Sequence, residues 1–239
     1  PELRVALVGN PNAGKIMDDL RRLEAANIDF HTQLVLAALE GLGDGAELLL
    51  GGEVPDRAQV RAAAEQLASH VMAGLEAAGA ERGSTVAGYL STGAEPSTEL
   101  LLPALTRAGY RVVVPVCEPE YQLSWVQWYD GVELVRSPRA WVYEPVGERL
   151  PSAIMADVPL ILLPGLAVDA DGNRIGQGGG YYDRFLAGVA RLPEQPKEVG
   201  VFYPHEVVAP GSFEVTELDA PLDGAVTAEG WIWFGPGTV

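Results

Sequence analysis

The chain has 239 residues, 48% apolar and 21% charged, with a formal net charge of −17 from 16 Lys+Arg against 33 Asp+Glu. That length suits one large domain or two small ones, with a substantial core, and so acidic a surface repels phosphate backbones and anionic lipid, so neither nucleic acid nor membrane is expected as a partner. A single cysteine, Cys117, excludes an internal disulfide and a cysteine-cluster metal site, and His31, His70 and His205 fall at no metal-binding spacing.

The longest apolar run, Val158–Val168, is too short to span a bilayer, and no charged-then-apolar leader opens the residues given. The expectation is a cytoplasmic monomer. The first element is the run VALVGNPNAGKI, Val5–Ile16, in which an apolar strand enters Gly9 and, four residues on, Gly14-Lys15. A phosphate-binding loop of this kind needs Ser or Thr after the lysine to ligate Mg²⁺. Ile16 stands there, neither lysine follows an Asn to make a guanine-reading NKxD, and the one DxxG match, Asp169–Gly172, lies far downstream. The reading is therefore a strand-turn-helix whose glycines make the turn. A phosphate contact from Lys15 stays open, and a nucleotide switch built on Gly9–Lys15 is the weaker alternative.

Helical patterns follow around Met17–Ala26 and Thr32–Leu42, broken by Gly41, Gly43 and Gly45. From Asp56, a fitting N-cap, the apolar positions Val60, Ala64, Leu67, Val71 and Leu75 recur at helical spacing, with Gly79 placed to close the helix. The chain then alternates: a strand at Thr85–Leu90, a helix at Thr98–Ala108, a strand from Arg111 ending at Pro115, and an aromatic strand at Gln122–Tyr129. Val158–Leu163 reads as a strand buried on both faces, followed by a glycine-rich loop, a helix at Tyr181–Ala190, and short strands at Glu198–Phe202 and Gly224–Thr227. This alternation predicts an α/β fold in three layers, a mostly parallel sheet with helices on both faces. Ligands bind such folds beyond the carboxyl ends of the strands, where the loop after Leu163 lies.

That loop is LLPGLAVDADGNRIGQGGGYYDRFL, Leu162–Leu186. Gly176, Gly178, Gly179 and Gly180 let backbone approach a ligand, and the helix opened by Tyr181-Tyr182-Asp183 offers unpaired amides and a positive dipole end. Arg174 adds positive charge for a phosphate. Asp183 either complements the helix dipole or, beside a phosphate, ligates Mg²⁺.

This stretch resembles the 5-formyltetrahydrofolate cyclo-ligase family pattern PGxxFDxxGxRxGxGxGYYD, with Val168 where Phe is usual. GYLSTGAEPST (Gly88–Thr98), Tyr143-Glu144-Pro145 and LDAPLDGAVT (Leu218–Thr227) resemble further family segments in the expected order, the last with Leu218 in place of His. The resemblance runs from about Arg57 to Gly230. It implies a single domain of CoA-transferase-like fold, with a family-like core over 56–235 and an atypical segment over 1–55. In that segment Met17 stands where the family's phosphate-clamping Lys would fall.

The implied reaction is ATP-dependent closure of 5-formyltetrahydrofolate to 5,10-methenyltetrahydrofolate, with ADP and phosphate released. The alternative is a non-catalytic relative that binds nucleotide or folate. The implied ATP site is Arg174, Ile175, Gly176, Gln177, Gly178, Gly179, Gly180, Tyr181 and Tyr182, with Lys15 as a candidate addition. The implied folate site is Leu90, Glu95, Trp125, Gln177, Gly178, Gly179, Gly180 and Tyr181. Arg174, Tyr182 and Asp183 are the implied catalytic group, and Asp183 with Asp219 the Mg²⁺ ligands. From the residues alone, Trp125, Trp128 and Tyr129 serve either stacking on a flat ring or packing under a helix. Glu95 serves either the pterin or a helix cap near Pro96, and Glu144 reads as structural.

Overall fold

The computed structural model describes residues 57–92, 95–140, 142–176, 180–213 and 221–235. The N-terminal expectations, Lys15 among them, lie outside the described residues, as do Gln177, Gly178, Gly179, Leu218 and Asp219.

Chain order begins with helix α1 (Arg57–Gly74), strand β1 (Thr85–Ala87), helix α2 (Leu101–Arg107), β2 (Arg111–Glu118) and β3 (Gln122–Trp128). A small hairpin of β4 (Leu134–Arg136) and β5 (Tyr143–Pro145) follows, then β6 (Leu150–Pro151) and the buried β7 (Leu160–Pro164). Next come β8 (Ala167–Asp169), β9 (Arg174–Ile175), helix α3 (Tyr181–Val189), β10 (Lys197–Val201), β11 (Val207–Val208), β12 (Gly224–Thr227) and β13 (Gly230–Trp233).

The main sheet has the order β13-β12-β10-β7-β1-β2-β3-β6. Its centre, β12 to β2, is parallel, and antiparallel partners close both edges. Along β7 the apolar run serves both faces by simple alternation. Leu160 and Leu162 join Leu67, Val71, Leu101 and Leu105 under α1 and α2. Ile161 and Leu163 join Phe185, Leu186 and Val189 under α3. The three layers expected from the sequence are thus present.

Boundaries differ where local hydrogen bonds outweigh propensity. The α1 region does close at Gly79 (φ 84): Ala80 N–H donates to the Leu75 carbonyl at 2.8 Å and Gly79 N–H to Glu76 at 3.0 Å, a Schellman closure. Of its expected apolar stripe only Val60 is exposed. Strand β2 runs through Pro115 to Glu118 instead of stopping. The Val113 carbonyl accepts from Gly88 and the Cys117 N–H donates to the Glu144 carboxylate, so the backbone N–H and C=O groups of odd-numbered β2 residues point away from β3. Pro115 has the same parity and faces beyond the end of β1 at Ala87, where the missing N–H forfeits no ladder bond.

β1 ends before Leu90, which sits in the following loop, partly buried against the α1–α2 core. Helix α2 starts three residues later than expected because Thr98 is engaged elsewhere. Thr98 N–H donates to Ser91 Oγ at 3.0 Å and Ser91 N–H to Thr98 Oγ1 at 3.1 Å, a reciprocal clasp across the loop. The sequence also gave no notice of β13, of the β4–β5 hairpin, or of the three-stranded sheet β11-β8-β9. Among the described residues no helix is long and apolar enough to cross a membrane.

Leu162 is 1% exposed at the centre of this packing. Leu162→Ala is expected to lower stability by about 2–5 kcal/mol, read as a shifted midpoint in urea unfolding with unchanged slope.

Candidate functional site

Strand order reverses between β7 and β1: the chain builds toward β2 from one and toward β12 from the other. Their loops leave the sheet's carboxyl edge side by side, and a crevice at such a point is where an open α/β sheet binds ligands. One loop is Gly88–Leu100, closed by the Ser91–Thr98 clasp. The other runs from Gly165 to Gly180.

The first loop presents Glu95. Its carboxylate accepts the Thr92 N–H at 2.7 Å and the Thr92 hydroxyl at 3.3 Å. Glu95 therefore caps its own turn and not helix α2, and the carboxylate is held at the loop tip. Beneath it the Tyr89 hydroxyl donates to the Pro96 carbonyl at 3.3 Å, and loss of water raises its pKa, with Glu95 adding to the rise.

The second loop is shaped by Asp169, which is fully buried. One oxygen accepts the Asp171 and Asn173 N–H groups at 3.0 and 2.9 Å, and the other accepts the Asn173 side chain at 2.9 Å. The acidic turn of the motif is thus structural: it folds β8 back onto β9 and delivers Arg174 beneath the crevice.

Arg174 departs from expectation. Its side chain is 5% exposed, and Nη2 donates to Asp183 Oδ1 at 2.8 Å. Nη1 donates to the Pro164 carbonyl at 3.4 Å, and Nε has no partner among the described residues. The guanidinium lies 6.0 Å from the Tyr182 ring centroid. A Cβ on Gly176 would come within 2.7 Å of Nη1, so that glycine makes room for this side chain, whereas one on Gly165 would first meet the Phe202 ring at 2.7 Å and Arg174 Cγ only at 3.1 Å. A buried cation needs a counter-charge, and Asp183 supplies it. The positive charge expected to face a phosphate is therefore offset inside the protein.

Helix α3 begins at Gly180, whose φ of 70° only glycine adopts readily. Its first intrahelical bond runs from Arg184 N–H to the Gly180 carbonyl, so the amides of Tyr181, Tyr182 and Asp183 precede the helical ladder and carry the positive dipole end. Burial raises the Tyr182 phenol above its ordinary range, nearby Glu95 adds to this, and Arg174 opposes it. Tyr182 thus links the two loops. Tyr181 turns toward the Cys117 thiol, which burial and Glu144 push up to about 12.

Not every expected residue reaches the crevice. Trp125 is fully buried, its indole N–H donating to Ser152 Oγ at 3.2 Å and its ring 5.1 Å from Phe185. It fills the space between β3 and α3 and offers no face for stacking, because the alternation of β3 turns it toward the helix layer. Trp128 is likewise buried on the opposite side, and only Tyr129 is exposed. Glu144 is 2% exposed and caps the Cys117 N–H at 2.9 Å, the structural role read from the sequence. Ile175 is buried in β9. No group of three or more metal-ligating side chains occurs among the described residues.

Sequence reasoning missed Glu206, on the loop after β10. It is 4% exposed, and its carboxylate accepts the Tyr203 N–H at 2.7 Å. Loss of water and the nearby Glu95 raise its pKa from 4.5 to about 8, against the Tyr203 bond. No motif marks it; a glutamate after Pro-His reads as surface.

A model of the 5-formyltetrahydrofolate cyclo-ligase family matches residues 49–228. The 5-formyltetrahydrofolate cyclo-ligase of Escherichia coli K12 is 35% identical over 155 residues, 62% of this chain and 81% of its own. The solved structure of Aquifex aeolicus 5,10-methenyltetrahydrofolate synthetase superposes with a TM-score of 0.60 at 26% identity, covering 78% of this chain and 88% of that one. The Mycoplasma pneumoniae synthetase, at 18% identity and a TM-score of 0.55 over 73% and 90% of the chains, shares the fold.

Two measurements check the site's electrostatics. Asp183→Leu leaves a buried guanidinium without its counter-charge and is expected to cost roughly 2–3 kcal/mol, below the usual 3–5 because Asp183 keeps some solvent. Adding Arg174→Met is expected to recover most of that loss in chemical denaturation. Glu206 binds its proton more tightly when folded, so it contributes stability at low pH that is lost as pH rises from about 4.5 to about 8. Glu206→Gln is expected to remove this slope, so that the variant gains on the wild type steadily across that window.

Proposed function

The chain belongs to the 5-formyltetrahydrofolate cyclo-ligase family, and we propose that it closes 5-formyltetrahydrofolate to 5,10-methenyltetrahydrofolate at the expense of ATP. The observation that carries the reading is the meeting of two loops at the β7–β1 reversal: Glu95 from one is near enough to act on the Tyr182 phenol of the other, and the Arg174 guanidinium that pairs with Asp183 lies 6.0 Å from the Tyr182 ring.

The formyl oxygen attacks the γ-phosphoryl group and ADP departs. N10 then attacks the activated formyl carbon, the five-membered ring closes, and phosphate leaves. Phosphorylation turns a poor leaving oxygen into a good one, so the protein's task is positioning and charge stabilisation. Glu95, stiffened by Thr92, orients the pterin through its polar edge. The first-turn amides of α3 receive phosphate oxygens, and the glycines through Gly180 allow that approach. Arg174 holds Asp183 in place from beneath instead of reaching the nucleotide itself.

Asp183 fits a magnesium ion: its side chain is 34% exposed, and one fixed carboxylate beside a phosphate site is the set Mg²⁺ takes when nucleotide oxygens and water complete its shell. Asp183, with Asp219 as second candidate, would hold the ion, which neutralises charge on the transferring phosphoryl group when bound. Lys15 is the candidate for the positive charge that the paired Arg174 does not give.

Mixing the protein with 5-formyltetrahydrofolate, ATP and Mg²⁺ is expected to produce methenyltetrahydrofolate absorbance. Glu95→Ala is expected to raise the KM for folate by roughly tenfold or more and leave the KM for ATP near its wild-type value. Folate binding by wild type without turnover would instead support a non-catalytic relative.

A further inference from the structure

The mechanism leaves one buried acid unused. Strand β10 lies beside β7, so the loop that follows it flanks the crevice, and Glu206 sits in that loop at 4% exposure. Glu206 folds its own turn: its carboxyl group accepts the Tyr203 N–H at 2.7 Å, and its N–H donates to the Tyr203 carbonyl at 3.0 Å. The Tyr203 and His205 rings stack with centroids 5.7 Å apart and stiffen the turn further. This turn abuts the loop that carries Glu95. Phe202 and Tyr203 from one and Pro96 and Ser97 from the other line a single depression against α1.

The Glu95 loop is tied to its own root. The Tyr89 carbonyl accepts the Thr98 hydroxyl at 2.9 Å, and the Tyr89 hydroxyl donates to the Pro96 carbonyl at 3.3 Å. Tyr89 feels both acids, since Glu95 and Glu206 each add to the rise that burial imposes on its phenol, as does Tyr182 of α3. From α1 the shared depression receives only Val60, Ala63, Ala64 and Leu67. The remaining titratable neighbours of Glu206 are Tyr203 and His205 in its own turn. No Lys or Arg pairs with it among the described residues. A carboxyl group so enclosed, with no cation and with a second carboxylate nearby, keeps its proton at neutral pH, and its pKa of about 8 agrees.

Resting on the cyclo-ligase reading, we propose that Glu206 is a positioning residue for the folate: uncharged, it lets these two loops pack together and leaves Glu95 as the one negative charge they turn toward the pterin. Folate arriving over Glu95 removes the water that would screen a second carboxylate, and folate is itself an anion. Ionised Glu206 opposes binding on both counts. Folate therefore binds well while Glu206 holds its proton and loses affinity as pH climbs past about 8. Tyr89 and Tyr182 are raised well beyond that range and stay neutral through it.

The folate KM from about pH 6.5 to about pH 9.5, read by folate-dependent ADP release, tests this. Wild type is expected to show a rise of about tenfold between about pH 7 and about pH 9. Glu206→Gln keeps the shape and the acceptor for Tyr203 without the titration, so its KM is expected to vary by less than about twofold over the same range. Glu206→Ala loses the acceptor and is expected to raise the folate KM at every pH. The KM for ATP is expected to follow one curve in all three proteins. Loss of folded enzyme at high pH would lower kcat and leave KM alone, so stability does not imitate the result. Parallel folate KM profiles for wild type and Glu206→Gln overturn the proposal while the enzymatic reading stands. Should wild type bind folate without turnover, Kd at the same pH values is judged in the same way, and absence of any folate binding overturns both.

Discussion

β7 has no polar side chain and must be covered on both faces. Leu160 and Leu162 require one helix layer and Ile161 and Leu163 another, so α1 and α2 settle on one side and α3 on the other. Chain reversal beside this strand follows from the same requirement, because β7 sits between β1, laid down before it, and β10, laid down after. The loops leaving β1 and β7 then emerge together. The crevice is a by-product of covering that strand, and its chemistry depends on which side chains those loops carry.

Charge is arranged in two tiers around the crevice. Inside, Arg174 lies against Gly176 and Tyr182 and is neutralised by Asp183, so it stiffens the site more than it lends the site a field. Outside, Arg139 and Arg184 keep their charge exposed. For an acidic chain this division has a physical logic. Screening and the overall negative field weaken distant attraction for anionic substrates, whereas exposed cations at the rim and the dipole of α3 act within a few ångströms.

The acidic groups are divided in the same way. Asp169 and Glu144 are buried and give their oxygens to backbone amides, which fixes the loop and the end of β2. Glu95 lies near the buried Glu206, and its negative charge adds to the loss of water in raising both Glu206 and Tyr182. Glu198 is a further case: loss of water and Asp223 push it up to about 7.

The sequence by itself determined the layer architecture, the long helix α1 with its glycine closure, the buried strand and the glycine-rich loop opening a helix. These follow from periodicity and from backbone chemistry within a few residues. Motif spacing also singled out Glu95, Tyr182 and Asp183 as candidates, because the resemblance carries them. Only the tertiary structure decided what each side chain faces. Trp125 belongs to the core because β3 pairs antiparallel to β2 and turns it toward Phe185. Pro115 continues a strand because its neighbour has already ended. Arg174 is neutralised because folding places Asp183, nine residues on, within 2.8 Å. Tyr121 reaches Tyr181 and Arg184 from a turn that holds it at φ 58°, which no local rule would choose. Burial and pairing depend on elements distant in the chain, and a local pattern contains no information about which of them will arrive.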